Sequence, residues 1–349
     1  MAHAASSDAT GLAGWRAPRW LPGGNAQTIW PALCSRWPPD APWRRERWDT
    51  PDGDFVDVDW LDGADAKAPL LVLLHGLESS SRSHYALAFA HWAQLAGWRV
   101  AVPHWRGCSG ELNRAPRAYH SGDFEEVAWL LQRLREHASA PLQVVGVSLG
   151  GNALLRWAAE AGDSACALVS ALVAVSAPLD LAAGGRAIDS GFNRWVYARM
   201  FLRTMKPKAL DKLAQHPGLF DRERLLAART LYEFDNVFTA PLHGFRDTDD
   251  YWTRASAKPH LARIRVPTLA LNARNDPFVP AASLPRPDAV GSHVTLWQPA
   301  HGGHVGFPGG AFPGHLMTLP DAVMGWMQTG EPLAPTLTSF AAPRGGPIG

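Results

Sequence analysis

The sequence has no run of roughly 18 consecutive apolar residues, so no membrane-spanning helix is expected. Its nearest approach, 165–177, is too short and is broken by Ser170; it reads as a helix end, a turn and a buried strand. The first residues carry neither the basic start nor the apolar stretch of a secretory signal. Cysteine is scarce: Cys34, Cys108 and Cys166 are scattered and odd in number, which excludes a disulfide framework and fits a reducing compartment. An excess of one charge is missing too. With a formal net charge of +1, no global attraction to nucleic acid or to an anionic membrane arises. No internal repeat is visible. A soluble, cytoplasmic protein that does not bind nucleic acid is the expectation.

What is present is a large apolar fraction, 46% of 349 residues, enough for one large domain or one domain with an insertion. The residues from Trp15 to Trp48 are rich in Trp, Pro and Arg and show no clear period; they read as an irregular lead-in. Phe55 to Trp60 alternates apolar and acidic residues, the period of a half-exposed strand. Residues 70–74 are continuously apolar, as expected of a strand covered on both faces of a parallel sheet. Helical and strand patterns then alternate: helix at 83–95 closed by Gly97, strand at 99–102, helix at 121–136, strand at 142–147, helix at 150–160, strand at 172–176. After an interruption come strands at 268–272 and 294–297 and a helix at 321–327. This alternation implies a mostly parallel, doubly wound α/β sheet.

The interruption is helical in pattern and rich in Arg, Phe and Trp, and it reads as a cap over the carboxyl edge of the sheet. The expected division is a flexible start (1–14), a core of 15–178 plus 264–329, a helical cap of 179–263, and a flexible Pro- and Gly-rich tail (330–349). Six basic residues (Arg186, Arg194, Arg199, Arg203, Lys206 and Lys208) stand against one acid, Asp189, in 186–208. They read as the solvated face of an amphipathic helix. A sharper reading is a cationic, aromatic lid in weak contact with a membrane surface or an amphiphilic substrate.

Chemistry concentrates in four motifs. In Q-V-V-G-V-S-L-G-G-N, Gly146, Ser148 and Gly150 match G-x-S-x-G between a strand and a helix. A sharp turn there pushes the serine hydroxyl clear of the backbone, and the residues two positions away must be small. The backbone N–H of Leu149 then donates to a developing oxyanion. The plain alternative is a glycine-rich turn; a dinucleotide fingerprint fails because Ser148 stands where the second glycine is needed. In L-V-L-L-H-G-L-E the strand runs into His75-Gly76, and the N–H of Leu77 is the second oxyanion donor, with His75 structural. In L-A-L-N-A-R-N-D-P, Asp276 follows an apolar strand, where a triad acid is expected; alone, Asp-Pro is an ordinary turn. In H-G-G-H-V-G-F, glycines free a histidine to reach over the sheet edge. Spacing leaves His301 and His304 both open. A metal site is not indicated, because no third ligand stands at zinc-site spacing.

These motifs, together with R-A-P-R-W-L-P-G-G-N-A-Q-T-I-W-P-A-L, H-G-L-E-S-S-S-R-S-H-Y, H-W-R-G-C-S-G-E and F-D-N-V-F-T-A-P-L-H-G-F, closely resemble the YheT-like branch of the α/β hydrolases. The resemblance runs from about Trp15 to Met327. It implies an α/β-hydrolase fold with Ser148 as nucleophile, Asp276 as acid and His304 as base. It also implies hydrolysis of carboxylic esters, either short- to medium-chain acyl esters or lipid-like esters, with no cofactor. Two departures stand out. Ser79 replaces the last glycine of H-G-L-E-G and would alter loop flexibility at the oxyanion hole. The early N-x-H-L-Q-T motif reads N-A-Q-T at Asn25 to Thr28, a change expected to concern packing more than chemistry. Acyl transfer to an alcohol would use the same triad, and a catalytically silent binding scaffold is the competing class. Phe192, Trp195 and Phe201 in the cap are the candidate substrate contacts. They predict activity that rises from acetyl to medium chains and then falls.

Overall fold

A computed structural model describes residues 16–330. Eight strands form one sheet: β1 (Arg44–Asp49), β2 (Phe55–Leu61), β3 (Leu70–Leu74), β4 (Arg99–Pro103), β5 (Leu142–Val147), β6 (Val169–Val175), β7 (Thr268–Leu271) and β8 (Val294–Trp297). Their order is β1-β2-β4-β3-β5-β6-β7-β8. β1 and β2 run antiparallel to their neighbours, and every pairing from β4 to β8 is parallel. The main helices are α1 (Gly24–Leu33), α2 (His84–Ala96), α3 (Phe124–Glu136), α4 (Leu149–Ala161), α5 (Leu181–Ile188), α6 (Arg199–Gln215), α7 (Leu231–Val237), α8 (Thr248–Ala255) and α9 (Thr318–Thr329).

The continuous apolar run of β3 is buried at all of its positions because its side chains feed both cores. Val72 and Leu74 pack with Leu130, Leu134, Leu154 and Trp157 of α3 and α4. Leu71 and Leu73 pack on the other face with Phe89 of α2 and Val323 of α9. α2 starts where Ser83 caps the N–H of Ala86 and stops at Gly97, whose φ of 73° suits only a residue without a Cβ penalty.

Two expectations need correction. The lead-in of 15–48 is not irregular throughout: it holds α1 and the edge strand β1. R-R-E-R-W-D hides β1 because charge sits at nearly every position and erases the apolar period. β2 is not half-exposed but fully buried. Its acids lie opposite arginines of β1 in the antiparallel register, Arg45 against Asp59 and Arg47 against Asp57. Each pair is bidentate, at 2.7 and 2.9 Å for Asp59 and 2.8 and 2.9 Å for Asp57, which offsets the cost of burying the carboxylates.

Between β6 and β7 the chain leaves the sheet and forms α5 to α8. Leu202, Leu225, Leu231, Phe234 and Phe238 give this insertion a core of its own. No helix among the described residues is long and apolar enough to cross a membrane. The expected flexible ends, 1–14 and 330–349, lie outside the described residues apart from Gly330.

Candidate active site

Ser148 sits between the last residue of β5 and the first of α4, with φ 53° and ψ −119°. That conformation is costly for a residue with a Cβ, and the surrounding packing enforces it. A Cβ on Gly146 would lie 2.6 Å from the Gly150 carbonyl oxygen, and one on Gly150 would lie 2.4 Å from that of Leu74. Glycine at 146 lets β5 and α4 approach closely, and glycine at 150 lets α4 press against the end of β3, and together they hold the turn. The Ser148 N–H is spent on the Val175 carbonyl at 2.8 Å, tying the turn to β6.

The structure brings the three expected catalytic side chains together. His304 Nε2 lies 3.0 Å from Ser148 Oγ, and His304 Nδ1 lies 2.9 Å from Asp276 Oδ2. Asp276 follows β7, and its other oxygen accepts the Phe278 N–H at 2.7 Å. The Asp276 side chain is fully buried, while that of His304 remains 11% exposed, enough to meet a substrate. The Phe278 ring lies over the imidazole with centroids 4.2 Å apart. His301 points elsewhere: it is exposed and 3.5 Å from Asn275 Nδ2.

In the turn right after His75, the N–H groups around Leu77 are spent on protein acceptors. Gly76 N–H donates to Tyr85 Oη at 2.9 Å, Glu78 N–H to Tyr119 Oη at 3.0 Å, and Ser79 N–H to the Gly76 carbonyl. Leu77 N–H has no such acceptor among the described residues. Leu149, first in α4, has no carbonyl one turn earlier to bond, so its N–H is free at the positive end of the helix. His75 is structural in geometry as well as in sequence. Its Nδ1–H donates to the Gly76 carbonyl at 2.8 Å and its Nε2 accepts the Trp105 N–H at 3.2 Å. Burial holds it neutral, with a pKa pushed down to about 3.

Both departures from the family pattern acquire a role. The Ser79 hydroxyl accepts from Tyr85 Oη at 2.7 Å, so it pins the oxyanion loop. N-A-Q-T does more than pack: α1 carries the loop that presents His304. Thr28 Oγ1 accepts the His304 N–H at 2.9 Å while donating to the Gly24 carbonyl at 2.7 Å. Gln27 Oε1 accepts from Gly302 N–H at 3.0 Å and from Asn275 Nδ2 at 2.9 Å. Asn275 Oδ1 in turn accepts from Gly303 N–H at 3.0 Å. From the cap, Tyr197 donates to Asn25 Oδ1 at 2.8 Å and its ring meets Phe278 edge-on at 4.5 Å. Gln27, Thr28, Asn275 and Tyr197 escaped the sequence reading. For Gln27 and Thr28 the polar N-A-Q-T, which the sequence reading took for packing, was the signal.

Two cavities meet at Ser148. One lies under the helical insertion and is lined by Leu149, Ile188, Met205, Phe234 and Trp252. The other is walled by α1 through Ile29, Ala32 and Leu33, by His84, and by His304 itself. Leu77, Glu78, Phe201 and Phe278 border both. Of the three aromatic contacts expected in the cap, only Phe201 lines these cavities. Phe192 and Trp195, in the helical turns that precede α6, stand 56% and 72% exposed, whereas Phe201 and Met205 of α6 line the cavities. The cap's basic residues also divide: Lys208 turns inward and pairs with Glu78 at 3.0 Å, next to the oxyanion loop. Among the described residues no cluster of His, Cys, Asp or Glu could hold a metal ion.

A sequence profile for the alpha/beta hydrolase fold matches residues 69–311. The chain belongs to the α/β-hydrolase family. Within it the chain belongs to the YheT-like branch: it is 42% identical to YheT of Escherichia coli (strain K12) over 308 residues, 87% of this chain and 89% of that protein. It is also 29% identical to the human phospholipase ABHD3 over 307 residues, 84% of this chain and 73% of the relative. Identity to the monoacylglycerol lipase of Saccharomyces cerevisiae (strain ATCC 204508 / S288c) is 28%, over 76% of this chain and 59% of that one. Among solved structures, Est1E from Butyrivibrio proteoclasticus with ferulic acid bound superposes with a TM-score of 0.52 at 14% identity. It spans 81% of this chain and 98% of that one, a likeness of fold alone.

Proposed function

We propose that this chain is a serine esterase that cleaves carboxylic esters, of short- to medium-chain acids or of lipid-like type, through Ser148, His304 and Asp276. The observation that carries the reading is the unbroken relay from Ser148 Oγ to His304 Nε2 at 3.0 Å and from His304 Nδ1 to Asp276 at 2.9 Å. Two relatives whose names specify ester cleavage, the phospholipase and the monoacylglycerol lipase, support the substrate class.

In this mechanism His304 Nε2 removes the proton of Ser148 as Oγ attacks the acyl carbonyl carbon. The carbonyl oxygen gains the charge and turns toward the N–H groups of Leu77 and Leu149. Asp276 holds Nδ1–H and stabilises the imidazolium. His304 then gives its proton to the departing alkoxide, which leaves as the alcohol. Water, deprotonated by the same imidazole, attacks the acyl-Ser148 ester and releases the acid. Residues 179–263 act as the cap on a core of 15–178 and 264–329, with Arg199 and Arg203 outside for weak contact with a membrane surface. Three free thiols support a reducing, cytoplasmic setting.

The test is labelling by a fluorophosphonate followed by turnover of p-nitrophenyl esters of increasing acyl length. Labelling lost in Ser148→Ala, with turnover of at least one ester in the parent chain, is the expected result. An unlabelled parent chain that turns over no ester would overturn the reading.

A further inference from the structure

The two cavities that meet at Ser148 are not equivalent, and the direction of proton transfer distinguishes them. An ester bound for attack has three substituents around its carbonyl carbon: the carbonyl oxygen, the acyl chain and the leaving oxygen. The carbonyl oxygen is committed to the Leu77 and Leu149 N–H groups. The leaving oxygen must come within hydrogen-bond reach, roughly 2.6–3.2 Å, of the atom that protonates it, His304 Nε2. His304 lines the α1-walled cavity and not the one under the cap, whereas Leu149 lines only the cavity under the cap.

We propose that the α1-walled cavity is the subsite for the alcohol portion of the substrate and that the cavity under the cap takes the acyl chain. This assignment rests on the esterase reading and deepens it. The alcohol subsite is built from the lead-in helix, through Ile29, Ala32 and Leu33, and from Met200 at the start of α6. Its walls are largely apolar, and it opens to solvent beside Leu33 and Met200, which are 75% and 50% exposed. The matching ligand class is therefore an ester of an apolar, chain-like alcohol whose far end can reach the surface. Phe201 and Phe278, which border both cavities, form the partition between the arms. Besides holding the His304 loop through Thr28 and Gln27, α1 thus adds selectivity for the alcohol.

A two-way ester series on the full chain tests this. kcat/KM is measured for butanoate esters of ethanol to decanol, and for ethyl esters of butanoate to decanoate. Each methylene that becomes fully buried improves kcat/KM by up to roughly fourfold, so the parent chain should rise in both series. Ala32→Trp fills the α1-walled cavity. It should lower the octyl-to-ethyl ratio by on the order of tenfold and leave the octanoate-to-butanoate ratio within about twofold. Met205→Trp fills the cavity under the cap and should do the reverse. Both readouts are ratios within one variant, so a general loss of activity cancels. Ala32→Leu, a smaller insertion on the same helix face, replaces the tryptophan variant if that one does not fold. Crossed effects, with Ala32→Trp moving the acyl ratio or Met205→Trp the alcohol ratio, would overturn the assignment. So would a parent chain indifferent to alcohol length. A parent chain that cleaves no ester in either series and takes no fluorophosphonate label would instead sink the esterase reading.

Discussion

The corner that holds Ser148 and the cap above it are built on opposite plans. At the corner, position comes from backbone. Ser148, Ser176 and Val305 all sit at positive φ, and each is tied by a hydrogen bond to a neighbouring strand or loop. Such conformations persist only where the surroundings over-determine them. In the insertion, position comes from apolar packing of helices and from side-chain ties to core loops, among them Lys208 to Glu78, Lys212 to the Asn113 and Ala115 carbonyls, His243 to the Ala118 carbonyl, Tyr197 to Asn25 and Asn193 to the Pro277 carbonyl. The contrast teaches where tolerance lies. The corner should fail sharply under single changes, and the cap should shift selectivity gradually.

The sharpest way to break that comparison is at the nucleophile. Ser148→Ala and His304→Ala should each lower kcat by on the order of a millionfold, since triad members act as one unit. His301→Ala should stay within several-fold of the parent. If His301→Ala is the dead variant, the base has been misassigned. Asp276→Asn should cost on the order of ten-thousandfold, because the amide presents the wrong tautomer to the imidazole. Steady-state turnover of one p-nitrophenyl ester measures all four.

A subtler probe is Thr28, which touches no substrate carbonyl and acts through the His304 loop. Thr28→Val keeps the shape but removes the acceptor of the His304 N–H, a loss of roughly tenfold to hundredfold in kcat. Thr28→Ser should recover most of it. A loss in Thr28→Ser with none in Thr28→Val would show that the methyl, not the hydroxyl, matters. The smallest effect is expected outside the cavities: Phe192→Ala and Trp195→Ala should change kcat/KM for soluble esters by no more than about twofold. A large loss from either would mean that the exposed cap surface folds inward when substrate binds.

The parallel strands and the turn at Ser148 were legible because their signals are local. An apolar run such as 70–74 reports burial on both faces, and G-x-S-x-G reports a turn that only small neighbours permit. β1 and the buried acids of β2 were not legible. Their logic is a cross-strand pairing of Arg45 with Asp59 and Arg47 with Asp57, which no single strand displays. The inward face of the cap was misjudged for a related reason. Phe192, Trp195 and Phe201 are all aromatic, and composition does not say which way each of their helical turns faces.

By itself the sequence determined the α/β class, the place of the serine turn, and a short set of candidates for nucleophile, acid and base. Each of these follows from chain-local chemistry: strand length, helix period, and glycine where a Cβ would collide. Spacing left His301 and His304 open and the family resemblance named His304; the tertiary structure shows that His304 rather than His301 faces Ser148. It also put Thr28 and Gln27, about 275 residues away in sequence, in charge of the histidine loop, and it opened two cavities rather than one around the serine. Those choices depend on how α1 and α6 dock against the ends of β5 and β7. Docking of that kind is the sum of many weak, non-local contacts, and no short stretch of residues carries its signature.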